Sequence, residues 1–323
     1  MIEEYKYLIP EESMGVITEN VNELRRVEEI LRKVFNKYEF CEALIPLFEY
    51  VDLYKNVYTN FDEEKVFKYI GKDGKVIALR WDFTIPIARY YFLQNTEKEA
   101  RYSYFGKVYR KEETYKGKST ENYQAGIELI SSSVDEGNKE CLDIMQECVS
   151  MLGLTNLKIE LGSAKFFNRV CELIKDKTEL IEILEKKNIS EMEKFIEKHN
   201  EISQDLKELF MNLPKLCGDI SMLEYVTSKT KDSILLDALE ELKEIYNKMD
   251  NKQDVIFDLS MCPTMEYYTS LMFKVYSKYS VEPIISGGRY DTLYKNFKKE
   301  VPAIGVGFYI SEIVNTLEKE GDK

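Results

Sequence analysis

Apolar residues at positions 21, 24, 27, 30, 31, 34 and 35 recur three and four apart, the stripe of an amphipathic helix over 21–37. The next segment, 39–50, reads as extended. Its Pro46 favours a sheet edge or a bulge, because proline cannot donate to a central ladder. A helix leading into such a strand serves either as a dimer surface or as packing on the chain's own core. A strand is predicted over 75–80, and a helix over 85–92 with Pro86 in its first turn. Two alternating stretches, 102–110 and 122–130, flank a charged loop, 111–121, and form a hairpin longer than a tight turn. A helix over 140–152 and a strand over 157–161 follow.

From 166 to about 249 the period changes to helical: Glu and Lys alternate with Leu and Ile at three and four spacing, and Gly218 is the one glycine. Sheet texture returns at 254–259, 271–276 and Ile284-Ile285, and a helix over 311–318 closes the pattern. The pattern predicts an α+β chain with a core over 1–165 and 251–323 and an all-helical insertion over 166–250.

Composition narrows the class. With 44% hydrophobic residues, 32% charged residues and 7 Pro in 323, the chain is expected to fold rather than stay disordered. No apolar run approaches the roughly 20 residues that cross a bilayer. The acidic start, Met-Ile-Glu-Glu, has no signal-peptide pattern, so a cytoplasmic, unanchored protein is expected. The net charge of −13 works against wrapping a polyanion. Lys295, Lys298 and Lys299 form the one local basic candidate and read as a solvated loop. Six scattered cysteines without a CxxC pair, and the single His199, argue against a zinc site and a histidine general base. No metal or cofactor is expected.

Residues able to bind a small ligand gather in four places. Ser286-Gly287-Gly288-Arg289-Tyr290-Asp291 puts a charge, a ring and a carboxylate beside two glycines that let a ligand approach the backbone. The other reading is a tight turn with a structural ion pair. Asp82 and Thr84, two apart, either share a ligand or cap the following helix. Gln124, Gly126 and Glu128 share one strand face, either as the floor for a small amine or as an ordinary solvated face. Tyr267 and Tyr268, if extended, point to opposite sides, so that one faces a pocket.

Together these segments resemble the core of a class II aminoacyl-tRNA synthetase of the histidyl-tRNA synthetase type. The first helix and the Pro46 strand are similar to motif 1, the dimer element. The run Tyr104-Phe-Gly-Lys-Val-Tyr-Arg-Lys-Glu112 with Gln124-Ala-Gly-Ile-Glu128 is similar to motif 2. Glu266-Tyr-Tyr-Thr269 and Ser286-Gly-Gly-Arg-Tyr-Asp291 resemble the two histidine signatures. The resemblance covers 1–165 and 251–318. It implies a mixed, mostly antiparallel sheet flanked by helices, carrying a histidine pocket. Asp82, Glu128, Thr84 and Gln124 would take the ammonium and imidazole N–H groups, Arg110 the carboxylate, and Tyr268 and Tyr290 the imidazole. Tyr267 and Arg289 belong to the same implied set. Asp82 is shorter than the family's glutamate.

Two departures bear on chemistry. The motif 3 pattern Gly-x-Gly-x-Glu-Arg reads Gly305-Val-Gly-Phe-Tyr-Ile310, without its arginine, and Pro263 stands where the first histidine signature has another. Losing one such charge-stabilising donor typically costs about 2.7–4 kcal/mol of barrier. The sequence stops shortly after motif 3, so no anticodon-binding module is expected. This balance resembles the ATP phosphoribosyltransferase regulatory subunit family, whose members assemble with a short-form catalytic subunit at the first step of histidine biosynthesis, where histidine mediates feedback inhibition. The resemblance implies a non-catalytic histidine sensor, a homodimer within a hetero-oligomer, binding neither tRNA nor membrane. A divergent amino-acid-adenylating enzyme and a non-sensing scaffold are the two other readings.

Overall fold

The computed structural model describes residues 18–58, 61–94, 98–111, 120–199, 202–297 and 300–321. Helix α1 (Thr18–Lys37) is the predicted amphipathic helix, and Val27, Leu31, Val34 and Phe35 of its stripe are buried. The extended segment after it splits around Pro46 into β1 (Cys41–Glu42) and β2 (Phe48–Tyr50), followed by α2 (Val51–Val57). Strands β3 (Lys68–Ile70) and β4 (Val76–Leu79) lead to α3 (Thr84–Leu93). The long hairpin is β5 (Ala100–Tyr109) and β6 (Glu121–Ile130), and α4 (Val134–Leu152) and β7 (Leu157–Ser163) come next.

The helical stretch comprises α5 (Ala164–Ile174), α6 (Lys177–Glu185), α7 (Ile189–Lys198) and α8 (Gln204–Met211). After it come β8 (Cys217–Gly218), α9 (Ile220–Lys229) and α10 (Ser233–Lys248). The all-helical expectation thus needs one correction. Cys217 and Gly218 pair antiparallel with β9 (Val255–Asp258) at the sheet edge, an attachment too short to leave a period in the sequence. The chain then runs through β10 (Leu271–Ser277), β11 (Ile285–Arg289), β12 (Ala303–Tyr309) and α11 (Ile310–Gly321).

Nine strands form one sheet in the order β1-β5-β6-β12-β11-β10-β7-β9-β8, and β2-β4-β3 form a small second sheet. Among the described residues only β1 with β5 and β7 with β9 pair in parallel. Because side chains alternate along a strand, each central strand has two characters. Ile127 and Leu129 of β6, Val306 and Phe308 of β12 and Ile285 of β11 pack with Leu31, Leu142 and Ile313 of α1, α4 and α11 in the main core. The intervening residues, Gln124, Gly126 and Glu128 of β6, Gly305, Gly307 and Tyr309 of β12 and Ser286 and Gly288 of β11, take the opposite face. That face carries the site. Among the described residues no helix is long and apolar enough to cross a membrane, and no cluster of His, Cys, Asp and Glu is arranged to hold a metal.

Candidate functional site

Two glycines make room for the site's polar side chains. The register sets Tyr104 opposite Gly126 and Glu128 opposite Gly305. A Cβ on Gly126 would overlap the Tyr104 hydroxyl, and one on Gly305 would overlap the Glu128 carboxylate. Tyr104 and Glu128 therefore lie flat across neighbouring strands. Phe83 stacks on Tyr104 with ring centroids 4.1 Å apart.

The start of α3 brings the second carboxylate. Oδ1 of Asp82 accepts the Ile85 backbone N–H at 3.0 Å, and Oδ2 lies 3.4 Å from the Tyr58 hydroxyl. Asp82 accepts from the first turn of α3, as the capping reading expects, and its side chain also lines the cavity. Thr84 donates from Oγ1 to Oε1 of Glu128 at 2.6 Å, and Tyr290 donates from its hydroxyl to Oε2. The cavity measures about 50 Å³ and is lined by Asp82, Thr84, Arg110, Gln124, Glu128 and Tyr290, together with Tyr267 and Tyr268. Both adjacent tyrosines of the expected set line it, and the segment is not extended as the opposite-sides reading supposed. Residues around them form a turn, with Tyr268 N–H bonded to Met265 O at 3.1 Å, and the two rings meet nearly edge-on at 83°.

Asp82 is 3% and Glu128 2% exposed. Burial, which penalises a charged carboxylate, pushes Asp82 up to about 6 despite the Ile85 N–H and Arg110. Burial likewise pushes Glu128 up to about 8, against the hydrogen bonds from Thr84 and Tyr290, and nearby Asp82 adds to the rise. Arg110 is the one cation among the described residues lining this cavity. Its Nε donates to Trp81 O at 3.1 Å and its guanidinium lies 5.0 Å from the Trp81 ring centre. Two acids facing one space with so little compensating charge favour a ligand that brings N–H donors and positive charge.

Arg289 does not belong to this cavity, correcting its place in the expected histidine-binding set. It is the last residue of β11 and alternation turns it to the helix side. There it is 0% exposed, and its guanidinium meets Asp291 at 2.7 Å, Asn138 Oδ1 at 3.0 Å and Val134 O at 3.2 Å. Asp291 also accepts the Ala303 N–H at 2.7 Å. The Arg289–Asp291 pair is the structural ion pair that formed the other reading of this motif. A cavity of about 350 Å³ lies beside it between α4 and α10, and ion pairs such as Lys139–Asp143 and Lys248–Asp135 occupy its charged rim.

Tyr58 and Met265 were missed by sequence reasoning. The Tyr58 hydroxyl lies 3.2 Å from Met265 Sδ and beside Asp82, and no periodicity marks either residue. Tyr104 was quoted only within a motif, although its place opposite Gly126 signals a side chain crossing a strand. Lys298, Lys299 and loop residues 112–119, with Glu112 of the motif 2 run, lie outside the described residues.

The fold and site define a class II aminoacyl-tRNA synthetase-type core of the histidyl kind. The family model for histidyl-tRNA synthetase matches residues 15–313. A Bacillus halodurans structure titled ATP phosphoribosyltransferase regulatory subunit/histidyl-tRNA synthetase superposes with a TM-score of 0.86 at 26% identity, over 96% of this chain and 83% of that one. A histidine–tRNA ligase subunit from Alicyclobacillus acidocaldarius shares the fold, with a TM-score of 0.81 at 23% identity over 97% of this chain and 98% of that one.

Among curated relatives, the ATP phosphoribosyltransferase regulatory subunit of Lactococcus lactis subsp. lactis is 43% identical over 326 residues, 99% of this chain and 98% of the relative. The protein of that name from Clostridium botulinum is 32% identical over 332 residues, 99% of this chain and 78% of the relative. The chain belongs to the ATP phosphoribosyltransferase regulatory subunit family.

Proposed function

We propose that this chain is a non-catalytic subunit that binds free histidine and regulates a short-form catalytic ATP phosphoribosyltransferase at the first step of histidine biosynthesis. The observation carrying the reading is the buried pair Asp82 and Glu128 facing one cavity beside Thr84, Tyr268 and Tyr290. Histidine's ammonium and imidazole N–H groups match those acceptors, and its carboxylate has Arg110. A site that satisfies buried polar groups only with the right donors rejects ligands lacking them.

Adenylate chemistry needs cations against the developing phosphate charge. Pro263 and the Gly305-Val-Gly-Phe-Tyr-Ile310 run supply none, which supports a sensor over an adenylating enzyme. Exposed Leu44, Phe48, Tyr69 and Ile70 on and beside the small sheet suit a homodimer within the hetero-oligomer. The net charge of −13 weighs against tRNA as a partner.

Histidine regulates only if it binds one assembly state better than another, and the catalytic partner must then change histidine affinity by the same factor and in the same direction as histidine changes the partner's. Calorimetric titration of histidine into the chain, alone and with the catalytic subunit, tests this. Affinities that differ between the two support coupling; equal affinities remove it, and absence of binding removes the sensor. Sustained histidine-dependent pyrophosphate exchange would instead favour the adenylating enzyme.

A further inference from the structure

On the helix side of the sheet, away from the pocket of Asp82 and Glu128, a groove of about 350 Å³ runs between α4 and α10. Its volume lies within the roughly 300–1,000 Å³ that small-molecule sites occupy. Asp135, Asn138, Lys139 and Asp143 of α4 line it at three- and four-residue spacing, as do Glu241, Glu244 and Lys248 of α10. Residues so spaced share a helix face, so each helix turns a polar stripe toward the other.

Most of this charge is matched inside the protein. Lys139 meets Asp143 at 2.7 Å and Lys248 meets Asp135 at 2.9 Å. Glu241 is met by Lys165 at 2.6 Å, and Asp291, at the base of the groove, by Arg289 at 2.7 Å. Glu244 is left over: it makes no hydrogen bond or ion pair with any described residue. Among the described residues no group of His, Cys, Asp and Glu is arranged to hold a metal ion, so the spare charge suits an organic cation.

The groove also has an unmatched donor. Asn138 is 5% exposed, and its Oδ1 accepts from Arg289 at 3.0 Å. A guanidinium can only donate, which fixes the amide's orientation and leaves Nδ2 as the outward group. Nδ2 has no partner among the described residues. It is not one of the sealed orphan atoms of the described interior either, which are Trp81 Nε1 and the Tyr294 and Thr316 hydroxyls. It therefore opens onto the groove that Asn138 lines, and its acceptor has to come from there.

We infer that this groove is a second ligand site, for a small organic cation that carries a carbonyl acceptor on an aliphatic stem, the chemistry of a basic amino-acid amide. The cationic end pairs with Glu244, the carbonyl accepts from Asn138 Nδ2, and the stem covers Ile245 and Met249 in the groove lining. A neutral carbonyl fits better than a carboxylate, which Asp291 and Asp135 would repel. An ion pair to the exposed Glu244 contributes little alone, so selectivity comes from engaging both ends.

The test is ligand-observed NMR on the full chain with three probes: 6-aminohexanamide, which has both ends, hexylamine, which lacks the carbonyl, and hexanamide, which lacks the charge. Expected is a dissociation constant of about 1 mM or tighter for 6-aminohexanamide, with each of the other two about fivefold or more weaker. Glu244→Gln should bring 6-aminohexanamide down to the level of hexanamide. Asn138→Asp keeps an oxygen for Arg289 but loses Nδ2, and should erase the advantage over hexylamine. Excess histidine should displace nothing. No binding of 6-aminohexanamide at about ten times that concentration overturns the inference, and equally tight hexylamine overturns it because only negative charge is then being read. Displacement by histidine, or unchanged binding in either variant, overturns it too, since the probe then sits elsewhere. Failure of histidine to bind its own pocket leaves this inference standing.

Discussion

The hydroxyl of Thr84 lies 2.6 Å from Oε1 of Glu128, joining the first turn of α3 to the last part of β6. With Tyr290 on the other oxygen, it holds a carboxyl whose protonation burial has pushed up to about 8. A carboxyl with a raised folded-state value binds its proton more tightly folded than unfolded. Its contribution to stability is full below the unfolded value, about 4.3, and is lost as pH rises through about 8. Asp82 adds the same sign of dependence up to about 6. Without ligand, the thermal midpoint is therefore expected to fall between pH 5 and pH 8.5. Glu128→Gln should flatten that slope and raise the midpoint at pH 8.5 by at least about 2–4 °C, the shift given by about 1 kcal/mol. Parallel pH profiles for the two proteins would count against the buried, protonated Glu128.

Binding histidine should release a proton. At pH 7 a carboxyl titrating near 8 is mostly protonated, and an incoming N–H donor of positive charge favours its ionised form. Calorimetry in buffers of different ionisation enthalpy reads this as a heat that varies with the buffer. A negative slope of heat against buffer ionisation enthalpy, of up to one proton per site, is expected, strongly reduced in Glu128→Gln, and a buffer-independent heat would contradict it.

Gly307 and Gly305 sit two apart on the same face of β12 but should respond oppositely. A Cβ on Gly307 meets nothing nearer than the Tyr104 hydroxyl at 3.5 Å and projects into the site. Gly307→Val is expected to fold with a midpoint close to that of the parent and to lose histidine binding by at least about tenfold, or 1.4 kcal/mol. Gly305→Ala collides with the Glu128 carboxylate and should cost about 1–3 kcal/mol of stability, as overpacking does. Unfolding curves and titrations on both variants separate fold from site.

Arg289 and Tyr290 are neighbours with different duties. Arg289→Met takes the guanidinium from the partly exposed Asp291 and from the buried Asn138, and should cost about 1–3 kcal/mol of stability, as leaving a buried polar group unsatisfied does. Tyr290→Phe keeps the ring and removes only the bond to Glu128, so its main effect should appear in histidine affinity. Denaturant titration read beside ligand titration checks both, and a larger stability loss from Tyr290→Phe would reverse the assignment.

Local pattern was enough for the elements that repeat regularly. The spacing of Val27, Leu31 and Val34 marked α1, the long hairpin of β5 and β6 stood where alternation put it, and Gln124 and Glu128 were legible as one face. Family likeness, from motifs at Tyr104, Glu266 and Ser286, extended that reading to a pocket.

What the sequence determined alone was the set of elements and most of the acids, hydroxyls and rings the pocket uses, because side-chain period is a property of neighbouring residues. Tertiary structure decided which side of the sheet each residue serves. Pairing β6 with β12, and through β12 with β11, brings β11 to a strand more than 150 residues earlier in the chain, placing Tyr290 on Glu128 and sending Arg289 to α4, while packing outside these strands draws Tyr58 and Met265 to Asp82. Burial follows from the same packing, and burial is what turns two ordinary carboxylates into groups that call for a positively charged guest.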